Sequence, residues 1–322
     1  MLRALVISFA VFAVSLSAWA AAEAPPTVSD TNNISETNNG QPTPHSDLAA
    51  GSSSDEDSAA ENELLEAANK SREQAGVAPL RVDENLREAA RAHARRMVAS
   101  KSLEHRLPGE PALLERIASV ISRDSASQES ASQESASQAI GSQDSELRID
   151  RAGENIANAG SAPGANQALM RSAPHRKNLL DSGFNIAGVA AIWSEGRLYV
   201  VQDFAHEVPA YSAQEGRKLV GQAVAETRQQ AGLRELVQLA TPHLDEAACS
   251  LARESRPDAH LLAATYNNRK IIAYTQSRPE MLPAGAMPLL RDPSVRQFAV
   301  GSCYARNAAY PTGMYWVAIL LY

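Results

Sequence analysis

Three polar residues between positions 105 and 175 have side chains suited to joint chemistry: His105, Glu154 and His175. Two imidazoles and a carboxylate can hold a divalent transition ion such as zinc and leave one coordination position open for water. With a water so activated, Glu154 would be the general base of a metal-assisted hydrolysis. The three lie far apart in sequence and match no short metal-binding motif. Taken alone, each His is equally well a surface or hydrogen-bonded residue. The same stretch offers no Gly-x-Ser-x-Gly elbow and no reactive-cysteine arrangement, so water on a metal is the one catalytic route these residues suggest.

The elements that must position them are helices first and strands afterwards. Leu64, Leu65 and Ala68 begin an apolar stripe on a helix that ends near Gly76. Leu86, Ala89, Ala90, His93, Ala94 and Met97 recur at spacings of three and four, which puts them on one helical face behind an Asp83 N-cap. His93 is thereby expected to be a core or boundary histidine, and His105 follows this helix after a short link. A third helix is predicted from Asn166 to Met170, ending near Pro174. The period then changes: Ile186–Trp193 and Leu198–Phe204 are apolar, strand-like runs joined by Ser194-Glu195-Gly196-Arg197, a hairpin turn. Gln202 and Asp203 are read as ending a strand near the edge of the domain and bonding to loops. Helices followed by an antiparallel hairpin indicate an α+β sandwich.

Arg3, the apolar run Ala4–Leu16 and Ala18-Trp19-Ala20 read as a signal peptide over residues 1–20, with export to a periplasmic or extracellular location. The apolar run is shorter than the roughly 20 residues of a spanning helix, so no transmembrane anchor is expected after cleavage. Residues 21–60 are rich in Ser, Asn, Thr, Pro, Asp and Glu, lack aromatics, and are expected to form a disordered linker. Ser-Ala-Ser-Gln-Glu occurs at 125–129 and 130–134 and recurs without its Glu at 135–138. A low-complexity loop insertion of about 122–148 is expected from it. The net charge of −7 excludes a general electrostatic pull toward nucleic acid. Cys249 and Cys303 are too far apart for a short metal motif, and in an exported protein a single disulfide is the better expectation.

The C-terminal half, 213–322, echoes the first. Arg72-Glu73-Gln74-Ala75-Gly76 faces Arg228-Gln229-Gln230-Ala231-Gly232, and Leu86-Arg87-Glu88-Ala89-Ala90 faces Leu244-Asp245-Glu246-Ala247-Ala248. Ala187-Gly188-Val189-Ala190 matches Val300-Gly301-Ser302-Cys303, and Tyr199-Val200-Val201 matches Tyr315-Trp316-Val317. The order suggests a duplication, with two unrelated α+β domains of similar composition as the alternative. Nothing there corresponds to the residues around Glu154 or His175, so this half is expected to pack rather than react.

Over residues 61–206 the chain resembles the bacterial CAP/SCP family (cysteine-rich secretory, antigen 5, pathogenesis-related). Asn69, Arg72, Gly76 and Leu80, then Leu86, Ala89, Ala90, His93 and Ala94, resemble its opening helices. Gly153-Glu154-Asn155-Ile156-Ala157 is similar to its Gly-Glu-Asn signature. Ser172-Ala173-Pro174-His175-Arg176-Lys177-Asn178-Leu179-Leu180 resembles its Ser-Pro-Gly-His-Arg segment, and Tyr199–Phe204 its closing strand. The resemblance implies an α-β-α sandwich with a central antiparallel sheet, followed by a second, degenerate CAP-like α+β half. It places His105, Glu154 and His175 in a His/Glu cleft able to hold zinc or another divalent metal. No residue matches the second cleft Glu of animal and plant members, and Leu169 stands where an aromatic is usual. The implied function is a secreted or envelope-associated binding module for a lipid, cell-wall or extracellular protein ligand. A metal-assisted hydrolase and a scaffold with a vestigial cleft are the alternatives.

Overall fold

The computed structural model describes residues 28–29, 34–35, 55–134, 147–266 and 269–322, so the expected signal peptide lies outside the described residues. The chain divides between Ala210 and Tyr211 into two compact units. No helix among the described residues is long and apolar enough to cross a membrane.

In the first unit, α1 (Ser58–Gln74) is capped by the Asp57 carboxylate, which accepts from Ala60 N at 2.9 Å. Helix α2 (Glu84–Ser100) is capped by Asp83, which accepts from Leu86 N at 3.0 Å. Its buried face is the expected one, Leu86, Ala89, Ala90, His93, Ala94 and Met97. Helix α3 covers Leu113–Glu134, α4 Ala162–Arg171 and α5 Ala173–Leu179.

The strands are β1 (Val28–Ser29), β2 (Ile34–Ser35), β3 (Asp55–Glu56), β4 (Arg81–Val82), β5 (Ile149–Ala159), β6 (Ile186–Ser194) and β7 (Arg197–Glu207). They form one sheet in the order β1-β5-β7-β6-β3, with β2 beside β5 and β4 beside β6. Its centre, β5-β7-β6, is antiparallel. One face packs Leu64 of α1 and Ala165 and Leu169 of α4 against Val189, Leu198 and Val200. The other packs Ala90, Ala94 and Met97 of α2 against Ile156, Ala190 and Val201. Alternate residues of each strand serve opposite faces, as a pleated sheet requires, and the layers are α-β-α.

Several expectations are corrected. Helix α3 continues through 122–134, the first part of the expected structureless insertion. Ala, Gln and Glu are strong helix formers, so the repeat propagates a helix already started by Leu113–Ile121. The third helix ends at Arg171, near Pro174 as expected, but it starts earlier, at Ala162, and Pro174 lies in the first turn of α5, where its missing N–H costs nothing. Parts of the 21–60 stretch are also ordered: β1 and β2 pair with β5, and α1 starts at Ser58.

The second unit contains α6 (Ala213–Gln230), β8 (Val237–Leu239), α7 (Leu244–Arg253), α8 (His260–Ala263), β9 (Lys270–Gln276), α9 (Met287–Leu290), β10 (Gln297–Ala305) and β11 (Met314–Leu321). Its sheet order, β8-β10-β11-β9, is that of β4-β6-β7-β5, and the parallel and antiparallel pairs also correspond. Arg72 and Arg228, each almost wholly buried, are used alike. Arg72 donates to the carbonyls of Ala78, Leu179, Asp181 and Phe184 at 2.7 to 3.0 Å. Arg228 donates to those of Arg234, Leu290 and Asp292 at 2.7 to 3.1 Å.

Gly188 and Gly301 also correspond. A Cβ on Gly188 would lie 2.1 Å from Leu86 C, and one on Gly301 2.1 Å from Leu244 O, so both let a helix approach the sheet backbone. Gly188 lies opposite Asp203, and Gly301 opposite Ala318. Tyr199 therefore corresponds to Met314, not to Tyr315, and the sequence match was one residue out of register. Such a slip exchanges the two faces of a strand. Cys249 of α7 and Cys303 of β10 form the expected disulfide, with their Cα atoms 5.2 Å apart.

Candidate functional site

Strand β5 carries the Gly-Glu-Asn residues, and each has its own work. Gly153 leaves room for a ring: a Cβ there would stand 2.9 Å from Phe184 Cζ. Asn155 donates from Nδ2 to the His175 carbonyl at 3.1 Å, and Asn178 donates from Nδ2 to the Glu154 carbonyl at 3.1 Å. These reciprocal bonds fix α5, and with it His175, against the strand that presents Glu154.

His105 comes from the loop between α2 and α3, where Lys101 and Gly109 take positive φ. Its Nδ1 lies 2.8 Å from Glu154 Oε1. The other carboxylate oxygen, Oε2, is paired with the guanidinium of Arg116, a residue of α3. Arg116 also donates from Nη1 to the His105 carbonyl at 2.9 Å. His175 Nδ1 lies 2.8 Å from Ser172 Oγ, while its buried Nε2 has no hydrogen-bond partner among the described residues. Burial, and then the charge of His105, holds the His175 pKa down to about 4. The structure thus brings the three expected residues into one polar group, though a nearly closed one. Glu154 is 1% exposed and His175 0%, and only the His105 side chain, at 14%, meets solvent.

Further members of the group were not expected. His93 is a core histidine as read from its spacing, but it touches the same network. Its Nδ1 lies 2.9 Å from Glu110 Oε1, its Nε2 3.0 Å from the Glu104 carbonyl and 3.9 Å from Glu154 Oε2. Burial, then Arg116, pushes its pKa down to about 4, with Glu110 opposing. Gln202 and Asp203 do not lie at an edge: β7 is flanked by β5 and β6, and both side chains are fully buried. Gln202 accepts from Asn155, and Asp203 stands directly across from Glu154. Burial first, and then the Glu154 charge, raises the Asp203 pKa well above the ordinary carboxylate range. Arg116 had a legible signal, since it falls among Leu113, Ile117 and Val120 on one helical face. Asp203 had none before the strand register was known.

These residues do not fit a divalent ion well. No three His, Cys, Asp or Glu side chains among the described residues are arranged to hold one. Both oxygens of Glu154 are engaged, one of them by a cation. A concavity of about 560 Å³ lies at the neighbouring loop, lined by Glu104, Leu107, Glu110 and Glu115 among others, and none of His105, Glu154 and His175 lines it.

Among the described residues the second unit has no equivalent. By the register of its strands, Glu154 and Asp203 correspond to Ala273 and Ala318, themselves cross-strand partners. Leu290 and Asp292 stand to Arg228 as Leu179 and Asp181 stand to Arg72, which places Ala286 where the first unit has His175. Alanine replaces the acid, its partner and the imidazole alike.

Residues 65–204 match the model of the cysteine-rich secretory protein family, CAP. No curated protein matches the chain significantly. Among solved structures, an extracellular SCP-domain protein from Bacillus anthracis is 23% identical over 46% of this chain and 40% of its own, with a TM-score of 0.34. An outer surface protein from Borrelia burgdorferi is 13% identical over 48% of this chain and all of its own, with a TM-score of 0.37. Na-ASP-1 is 7% identical over 82% of this chain and 89% of its own, with a TM-score of 0.42.

Proposed function

We propose that this chain, whose residues 65–204 form a CAP domain, is an exported, envelope-associated or extracellular binding module, and that 213–322 is a degenerate second copy serving as scaffold. The signal-like start of the sequence and the disulfide between Cys249 and Cys303 support export. The observation that carries the binding reading is the engagement of Glu154. A general base must reach the proton it removes, and this carboxylate is buried with both oxygens taken by His105 and Arg116. A hydrolase would need that pairing broken in every turnover. A module that presents His105 at the rim and keeps the rest as rigid support needs no such change.

The test sets binding against turnover. Purified full-length protein is sedimented with phosphatidylglycerol vesicles and, separately, with peptidoglycan, while p-nitrophenyl acetate hydrolysis is followed with and without added zinc. Saturable co-sedimentation without turnover supports the module. Zinc-dependent hydrolysis that disappears in Glu154→Gln overturns it in favour of the hydrolase.

A further inference from the structure

We propose that Arg116 is the resident cation of the His105–Glu154–His175 site, occupying the place beside Glu154 that a divalent ion would need and making the site independent of metal. The inference deepens the binding-module reading and rests on the same residues.

Arg116 is 6% exposed and projects from the first turns of α3 into the network. Its guanidinium meets three oxygens from two parts of the fold, strand β5 and the loop between α2 and α3. One is the Glu154 carboxylate on β5, one the His105 carbonyl, and the third Glu110 Oε2, 3.7 Å from Nη1. Glu110 in turn accepts from Leu107 N at 3.1 Å and meets His93 at 2.9 Å. A single planar cation therefore joins the strand carrying the acid to the loop carrying His105 and Glu110, and Glu110 in turn ties that loop to His93 of α2.

Guanidinium suits this role because its donors are fixed in a fork, remain charged at any accessible pH, and are more weakly hydrated than an ammonium. A second cation at Glu154 would have to displace it or share the carboxylate with it in a poorly screened interior. Like charges a few ångströms apart there repel strongly. Displacement would leave Arg116 buried and unpaired, a cost a dilute ion must also overcome. Electrostatics thus closes the site to a metal even though two imidazoles lie near.

Zinc chloride is the probe. Uptake by the full-length protein is measured by equilibrium dialysis, with thermal unfolding followed in parallel. Wild type is expected to show no saturable uptake and no zinc-dependent rise in unfolding temperature. Arg116→Gln, with the carboxylate released, is expected to bind zinc at least about tenfold more tightly than wild type. Arg116→Lys, which keeps a cation in place and serves also if the glutamine variant does not fold, should stay as blind to zinc as wild type. One zinc per wild-type chain, lost in Glu154→Gln, would overturn the proposal, as would uptake by the lysine variant or none by a folded Arg116→Gln. Zinc uptake by wild type without turnover would leave the binding module standing, so the two readings fail separately.

Discussion

Asp203 and Glu154 are cross-strand partners at the centre of the first sheet, two acids facing each other where side chains on adjacent strands normally attract. Glu154 has Arg116, whereas Asp203 is held in its protonated form by burial and by Glu154. A carboxyl whose folded pKa is raised contributes fully below the unfolded value near 3.8 and costs stability increasingly as pH rises above it. Asp203→Asn, a neutral isostere, should therefore be more stable than wild type at pH 8 and nearly equal to it at pH 4. Urea unfolding at the two pH values measures this; an equal difference at both would reject it.

His175 gives the opposite dependence. Its folded pKa lies at about 4 against 6.5 for the free side chain, so stability is full above pH 6.5 and is lost as pH falls toward 4. At pH 5 this ring is therefore expected to lower stability relative to pH 7. His175→Gln should lose less stability than wild type between pH 7 and 5. The wild-type ring resonances should not move over that range in NMR spectra.

The buried arginines should be equivalent in role and independent in effect. Arg72→Met strips donors from the carbonyls of Ala78, Leu179, Asp181 and Phe184, and Arg228→Met does the same in the second unit. Orphaned buried acceptors make each change cost about 3 kcal/mol or more. Hydrogen exchange should show the loss confined to the unit that carries the substitution; protection lost equally in both would contradict this.

Removing the disulfide should weaken the second unit only. Cys249 and Cys303 are 54 residues apart, and a closed loop of that length stabilises by about 4 kcal/mol in the chain-entropy account. A Cys249→Ser, Cys303→Ser double variant should show that loss in urea unfolding, with hydrogen exchange in β5–β7 unchanged.

Local patterns in the chain were informative wherever a few neighbouring residues decide the outcome. The face of α2 follows from apolar spacing and the Asp83 cap, and the β6–β7 turn from Glu195 and Gly196, both with positive φ. Motif order pointed to His105, Glu154 and His175, and His105 Nδ1 lies 2.8 Å from Glu154 Oε1. What escaped reading depends on partners distant in sequence. The strand status of Gly153–Ala157 is masked because β5 is buried on both faces and shows no alternation. Asp203 acquires its meaning only from the residue opposite. The repeat's register was misjudged because Tyr-Val-Val and Tyr-Trp-Val look alike, whereas the closeness of Gly188 to Leu86 and of Gly301 to Leu244 fixes it.

Helix α3 joins two unlike tasks along one axis. Arg116 grips the polar group within its first turns, and the Ser-Ala-Ser-Gln-Glu units begin only at residue 125, more than two turns further on. Each added unit of five residues would extend a helix by about 7.5 Å. Growth or shrinkage of the tract by whole units thus changes reach at the far end while the grip stays put.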